Sequence, residues 1–149
     1  MFFIECPSDW SEYGNNCYKF FMENMNWANA ESHCTEQGGH LASVHSDQEN
    51  EFILGLSSSE QFWIGGNDEE VEGEWVWSDG SDFSYSFWKR GQPNNWESNE
   101  GSGDYYYYYL YEDDDNLDYK VDCLLFNEHN NSWNDGGCNV DRHFVCQII

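Results

Sequence analysis

Phe62-Trp63-Ile64-Gly65-Gly66 is the stretch on which the fold turns. It reads as a short strand, and from it onward the pattern is one of short strands divided by Gly, Asp and Asn. Upstream the periodicity is helical. Asn26 precedes Trp27-Ala28-Asn29-Ala30-Glu31-Ser32-His33-Cys34, where Trp27, Ala30 and Cys34 recur at helical spacing and are expected in the core, and Gly38-Gly39 stops the run. Ser46, followed three residues later by Glu49, forms a capping box that opens a second helix with Phe52, Ile53 and Leu56 as its apolar stripe. Ahead of both, residues 6–20 read as a hairpin, with Tyr13-Gly14-Asn15-Asn16 as the turn and Cys17-Tyr18-Lys19-Phe20-Phe21 as a strand. Downstream, Glu74-Trp75-Val76-Trp77, Cys123-Leu124-Leu125-Phe126 and His143-Phe144-Val145-Cys146 predict further strands. Two helices and then a strand-rich half predict an α+β domain. The stretch between Asp79 and Asp122 reads mostly as loop, and so long a loop in a compact domain is usually functional.

The 149 residues suit a single domain, 1–149, with a core of its own. Asp and Glu number 29 against 5 Lys and Arg, a formal net charge of -24. Binding phosphates needs a cationic footprint, so nucleic acid is excluded as a partner, and a polybasic contact with anionic lipid is excluded with it. Such a surface suits soluble cations, calcium above all. Acidity of this degree can accompany disorder, but 19% aromatic residues, including 8 Trp, predict a packed fold. No apolar run is long enough for a transmembrane helix, and no membrane insertion is expected. Met1-Phe2-Phe3-Ile4-Glu5-Cys6 is too short, and lacks the basic start, for a secretory signal. Any leader is therefore expected to have been removed, or Met1 to have been added in expression.

The six cysteines, 6, 17, 34, 123, 138 and 146, contain no C-x-x-C pair, which disfavours a zinc ribbon or a thioredoxin-like site. With the sequon Asn130-Asn131-Ser132 they predict three disulfides, an oxidising compartment, secretion and a possible glycan on Asn130. Residues 101–121 stand apart as an insertion carrying Tyr105 to Tyr109, Tyr111 and Tyr119 beside Glu112-Asp113-Asp114-Asp115. Tyr105 to Tyr111 can form an exposed strand that pairs with another chain, giving a homo-oligomer or fibrous assembly. The same tyrosines can be sulfated into a polyanionic arm, or the segment can be a solvated loop.

Three short motifs supply side-chain oxygens: Gln92-Pro93-Asn94, Glu100 six residues past Asn94, and Trp133-Asn134-Asp135. Amide and carboxylate oxygens suit a hard cation that takes six to eight oxygen ligands, as calcium does. The cysteine pattern, Trp63-Ile64-Gly65-Gly66, Gln92-Pro93-Asn94 and Trp133-Asn134-Asp135 occur in the order found in a C-type lectin domain. The chain resembles that family from Cys6 to Cys146, apart from the insertion.

The resemblance implies the C-type lectin-like fold: two helices flanking small antiparallel sheets, with a long calcium- and sugar-binding loop region. It implies disulfides Cys34–Cys146 and Cys123–Cys138, with Cys6–Cys17 closing the N-terminal hairpin of the long form. A calcium held by Gln92, Asn94, Glu100, Asn134 and Asp135 would keep two positions open for vicinal hydroxyls of a terminal sugar. The same amides would donate to those hydroxyls and the same carboxylates accept from them. A second calcium would use Asp68, Glu72, Asn95 and Glu100 with help from Asp122, against the alternative of a solvated acidic loop.

Recognition of this kind breaks no bond, so no enzyme is expected. His33, His40, His45, His129 and His143 show no metal spacing, and no Ser-His-Asp set suggests itself. Trp63, Trp75, Trp77 and Trp133 are expected in the core.

The chain departs from the family in two places. Gln92-Pro93-Asn94 is a hybrid of the Glu-Pro-Asn loop that goes with mannose-type sugars and the Gln-Pro-Asp loop that goes with galactose-type sugars. Trp96 can stack on the apolar face of galactose, which leans the reading that way, or can simply pack the loop. The acidic ligand expected just before the Asp-Cys pair is either Glu100, with the insertion following it, or is lost to Val121. The rival reading is an acidic matrix or self-assembling module on the same fold. Ice or protein binding is a third.

Overall fold

Each helix begins at a side chain that satisfies its free amides. Asn26 caps α1 (Trp27–Glu36), its Oδ1 accepting from the Asn29 N–H at 2.8 Å. Ser46 caps α2 (Asp47–Leu56), its Oγ accepting from the Glu49 N–H at 3.1 Å. The return bond of the expected capping box lands one residue early: Glu49 Oε1 accepts from the His45 N–H at 3.1 Å. The structure is a computed structural model that describes residues 5–57, 61–88, 122–127 and 132–148.

The strands are β1 (Ser11–Tyr13), β2 (Asn16–Met25), β3 (His40–Leu41), β4 (Gln61–Asn67), β5 (Val76–Trp77), β6 (Cys123–Asn127), β7 (Ser132–Gly136) and β8 (Arg142–Ile148). They run in the order β1-β2-β8-β4-β6-β7, with β3 on β8 and β5 on β4. The pairings are antiparallel except that of β4 with β8, where Phe62 faces His143 and Trp63 faces Phe144. That parallel contact joins what the sequence suggested as small antiparallel sheets into one mixed sheet.

Its cause is visible in the side chains. Phe62 and Ile64 of β4, Leu124 and Phe126 of β6 and Val145 of β8 enter one apolar cluster together with Ile53 of α2. Trp63, Leu125 and Phe144, alternating with them, enter a second cluster with Trp27, Ala30 and Cys34 of α1. Strands that are apolar on both faces must lie centrally, with a helix against each face.

The Trp133-Asn134-Asp135 motif lies in strand β7. The β7 strand pairs along β6 from Cys123↔Gly136 to Asn127↔Ser132. Trp133 is fully buried, so the strand is held by its indole as well as by the ladder. Trp63 and Trp77 are core residues as expected, whereas Trp75 is half-buried and packs on the core from outside.

The two glycines of the opening motif are needed for close approach. A Cβ on Gly65 would sit 2.8 Å from Leu41 O and 2.8 Å from Ser78 Oγ, and one on Gly66 would sit 2.5 Å from Leu124 Cδ1. The Gly65 N–H and C=O bond outward to Ala42 O at 2.8 Å and to the Ser78 N–H at 2.9 Å, so the backbone cannot shift away.

The disulfides are Cys6–Cys17, Cys34–Cys146 and Cys123–Cys138, with Cα separations of 5.5, 5.3 and 5.3 Å. Cys34–Cys146 ties α1 to β8. Among the described residues no helix is long and apolar enough to cross a membrane.

Candidate functional site

The described candidate ligands lie on and beside strands β4, β6 and β7. Asp68 follows the end of β4, Asp122 precedes the start of β6, and the Asp68 N–H donates to Asp122 O at 2.9 Å. On β7, Asp135 pairs with Leu124, next to the Cys123 end of β6, and Asn134 pairs with Leu125, at the middle of the ladder.

Carboxylate oxygens of Asp68, Glu72 and Asp122 lie within 4.8 Å of one another. Asp68 is 2% exposed and Asp122 is 4% exposed, while Glu72 reaches out to solvent. Asp68 Oδ2 accepts from the Gly73 N–H at 2.9 Å, but its buried Oδ1 takes no hydrogen bond among the described residues. Burial is the main cause that pushes the Asp68 carboxyl up from 3.8 to about 8; the Gly73 amide opposes this, and the Glu72 and Asp122 carboxylates add to it. A buried acceptor among acceptors is costly unless a proton or a cation joins it. Of the second calcium set expected from the sequence, the structure thus brings Asp68 and Glu72 together with Asp122. Asn95 and Glu100 lie outside the described residues.

Of the sugar-bearing set, Asn134 and Asp135 are buried on β7, at 2% and 0% exposure. Asn134 Oδ1 also takes no hydrogen bond among the described residues. Gln92, Asn94, Trp96 and Glu100 lie outside the described residues, as do Asn130 and the insertion with Tyr105 to Tyr111. The chemistry available is oxygen donation to a hard cation, from the Asp68, Glu72 and Asp122 cluster and from Asn134 and Asp135, and in each place one buried oxygen takes no hydrogen bond among the described residues.

Ser43, His45 and Asp79 do come together, although nothing in the sequence suggested it. Ser43 Oγ donates to Asp79 Oδ2 at 2.6 Å, and His45 Nε2 lies 3.1 Å from the same Oγ. In a nucleophilic relay the imidazole stands between serine and carboxylate. Here the serine, 1% exposed, is bonded to the carboxylate itself, and the group ties the 43–45 segment to the turn after β5.

Sequence reasoning also missed the stem of the long loop. In Phe83-Ser84-Tyr85-Ser86 the aromatics turn inward and the serines outward. Phe83 stacks on Trp77 at 4.6 Å and Tyr85 meets Trp133 edge-on at 5.9 Å. This period-two alternation is the signal that could have marked the stem.

The family model for the Lectin C-type domain matches residues 23–148. The galactose-specific lectin nattectin of Thalassophryne nattereri is 36% identical over 146 residues, covering 95% of this chain and 79% of that protein. The cow C-type carbohydrate-recognition domain of CD23, solved in the presence of a GlcNAc2Man3 oligosaccharide, superposes with a TM-score of 0.78 at 27% identity, covering 97% of this chain and 96% of that one. A calcium-independent type II antifreeze protein superposes with a TM-score of 0.76 at 28% identity, covering 96% and 93%. With its fold, three disulfides and family motifs matched along most of its length, the chain belongs to the C-type lectin domain family, a family of binding proteins rather than enzymes.

Proposed function

We propose that this chain is a secreted, calcium-dependent lectin that binds terminal sugars of the galactose type. The supporting observation is the pair of buried oxygens that find no donor among the described residues, Asp68 Oδ1 and Asn134 Oδ1. Asp68, Glu72 and Asp122 would hold one calcium with Asn95 and Glu100. Gln92, Asn94, Glu100, Asn134 and Asp135 would hold the sugar-bearing one. Calcium would supply coordination of vicinal hydroxyls, while the amides and carboxylates fix their orientation. The galactose preference draws on Gln92, on Trp96 as a stacking ring and on the specificity of nattectin.

Retention on galactose-agarose and mannose-agarose, in calcium and then in EDTA, tests this. Release from galactose-agarose by EDTA is expected. Failure to bind either resin would refute it.

A second reading, an acidic structural module, is favoured by the charge. The two basic side chains among the described residues, Lys19 and Arg142, each lie 5.0 Å over a ring, of Phe21 and Trp63. Five Lys and Arg against 29 Asp and Glu leave a net charge of -24. On this reading Tyr105 to Tyr111 would drive assembly, and deleting residues 102–120 would reduce the particle size in light scattering.

A further inference from the structure

Helix α2 touches the stem of the long loop and the site strand at two points. Tyr85 Oη donates to Asp47 Oδ1 at 2.5 Å, in the first turn of the helix. Three residues along, Asn50, 3% exposed, accepts from Trp133 Nε1 at 2.9 Å through its Oδ1. Trp133 is the immediate neighbour of Asn134 on β7. The stem itself runs beside that strand: Phe87 O accepts from the Trp133 N–H at 2.9 Å, and Trp88 forms a parallel bridge with Trp133.

Residues 81–87 belong to no strand, so ring packing and these few polar bonds hold them. Stacked rings tolerate sliding, whereas a hydrogen bond fixes distance and direction. The Tyr85 phenol is pushed above its ordinary value, by burial first and then by Asp47, so its hydroxyl remains a donor.

We propose that Tyr85 and Asp47 form a latch that sets the stem of the binding loop in register with β7. Asn50 fixes Trp133, Tyr85 fixes the stem, and α2 is the common reference for both. The loop that carries Gln92 and Asn94 therefore starts from a defined place beside Asn134 and Asp135. This rests on the lectin reading above, and Tyr85 and Asp47 are positioning residues that touch neither metal nor sugar in it.

Three variants test the latch: Tyr85→Phe and Asp47→Ala remove the bond, and Asp47→Asn keeps an acceptor oxygen. The first readout is the rate of trypsin cleavage after Lys89 or Arg90, just past the stem, which needs neither calcium nor sugar. The second is the calcium concentration that gives half-maximal retention on galactose-agarose.

Tyr85→Phe and Asp47→Ala are each expected to raise both by about 3- to 10-fold, as loss of one hydrogen bond allows. Asp47→Asn should stay within about twofold of the parent, and the double variant Tyr85→Phe/Asp47→Ala should be no worse than either single change. Unchanged cleavage in Tyr85→Phe overturns the proposal, as does an Asp47→Asn variant no better than Asp47→Ala, or additive effects in the double variant. Faster cleavage with unchanged calcium half-saturation, in a parent that is retained, also overturns it. A parent that is not retained at all refutes the lectin reading, and the cleavage rates alone then decide whether the latch holds the stem.

Discussion

Replacing Asp68 by Asn should change the stability of the protein in opposite directions with and without calcium. The Asp68 carboxyl is pushed from 3.8 to about 8 in the calcium-free fold. A raised value for an acid means that the folded chain holds the proton more tightly than the unfolded chain. The contribution of Asp68 to the stability of the calcium-free fold is then fully present below about pH 4, and it is lost as the pH rises through about 8. Unscreened, the gap between the two values would amount to about 5 to 6 kcal/mol. Glu72 is exposed and water screens the cluster, so roughly 2 kcal/mol is the realistic share at neutral pH.

Asparagine removes that repulsion and retains an oxygen for the Gly73 N–H. In EDTA at pH 7.5 the variant should melt about 4 to 8 °C above the parent, at roughly 2 to 4 °C per kcal/mol for a chain of this size. In calcium at 100 times its Kd the parent should gain about 2.7 kcal/mol and overtake the variant. Scanning calorimetry in EDTA and in calcium, at pH 5 and pH 7.5, measures all four states. At pH 5 without calcium the folded parent carries the proton but the unfolded chain is already ionised, so the difference should fall to about a third of its value at pH 7.5. A variant less stable than the parent in EDTA at pH 7.5, or equally advantaged at both pH values, refutes the reasoning.

Gly65→Ala drives a Cβ to 2.8 Å from Leu41 O on a backbone pinned at both N–H and C=O, and should cost about 1 to 3 kcal/mol in urea unfolding; a native midpoint would refute the close-approach argument. Asn50→Leu leaves Trp133 Nε1 buried without an acceptor and should cost about 1 to 3 kcal/mol, again read by urea unfolding. Removing Cys34–Cys146, which spans 112 residues, should cost about 4.8 kcal/mol by chain entropy and abolish cooperative melting, whereas removing Cys6–Cys17, which spans 11, should cost about 2.8 kcal/mol and leave a folded protein. Equal losses in calorimetry would count against that ordering.

Both helix starts were legible because capping is local: Asn26 and Ser46 act on amides three residues away. The core strands β4, β6 and β8 were legible as apolar runs for the same reason. Strand β7 was less so, because Trp133-Asn134-Asp135 carries two polar residues that become buried only through pairing with β6. The meeting of Asp68, Glu72 and Asp122 was anticipated through the family resemblance and could not have come from spacing, since Asp122 lies far along the chain.

By itself, then, the sequence determined what depends on near neighbours and on composition. The caps, the two-faced apolar strands, the acid excess and the family motifs all belong there. Tertiary structure decided what depends on long-range approach. The parallel contact of β4 with β8 places Phe62 beside His143, and the bond from Trp133 to Asn50 crosses 83 positions. The orphaned oxygens of Asp68 and Asn134 exist only because folding removes them from water, and burial is a property of the packed molecule that no local run of residues encodes.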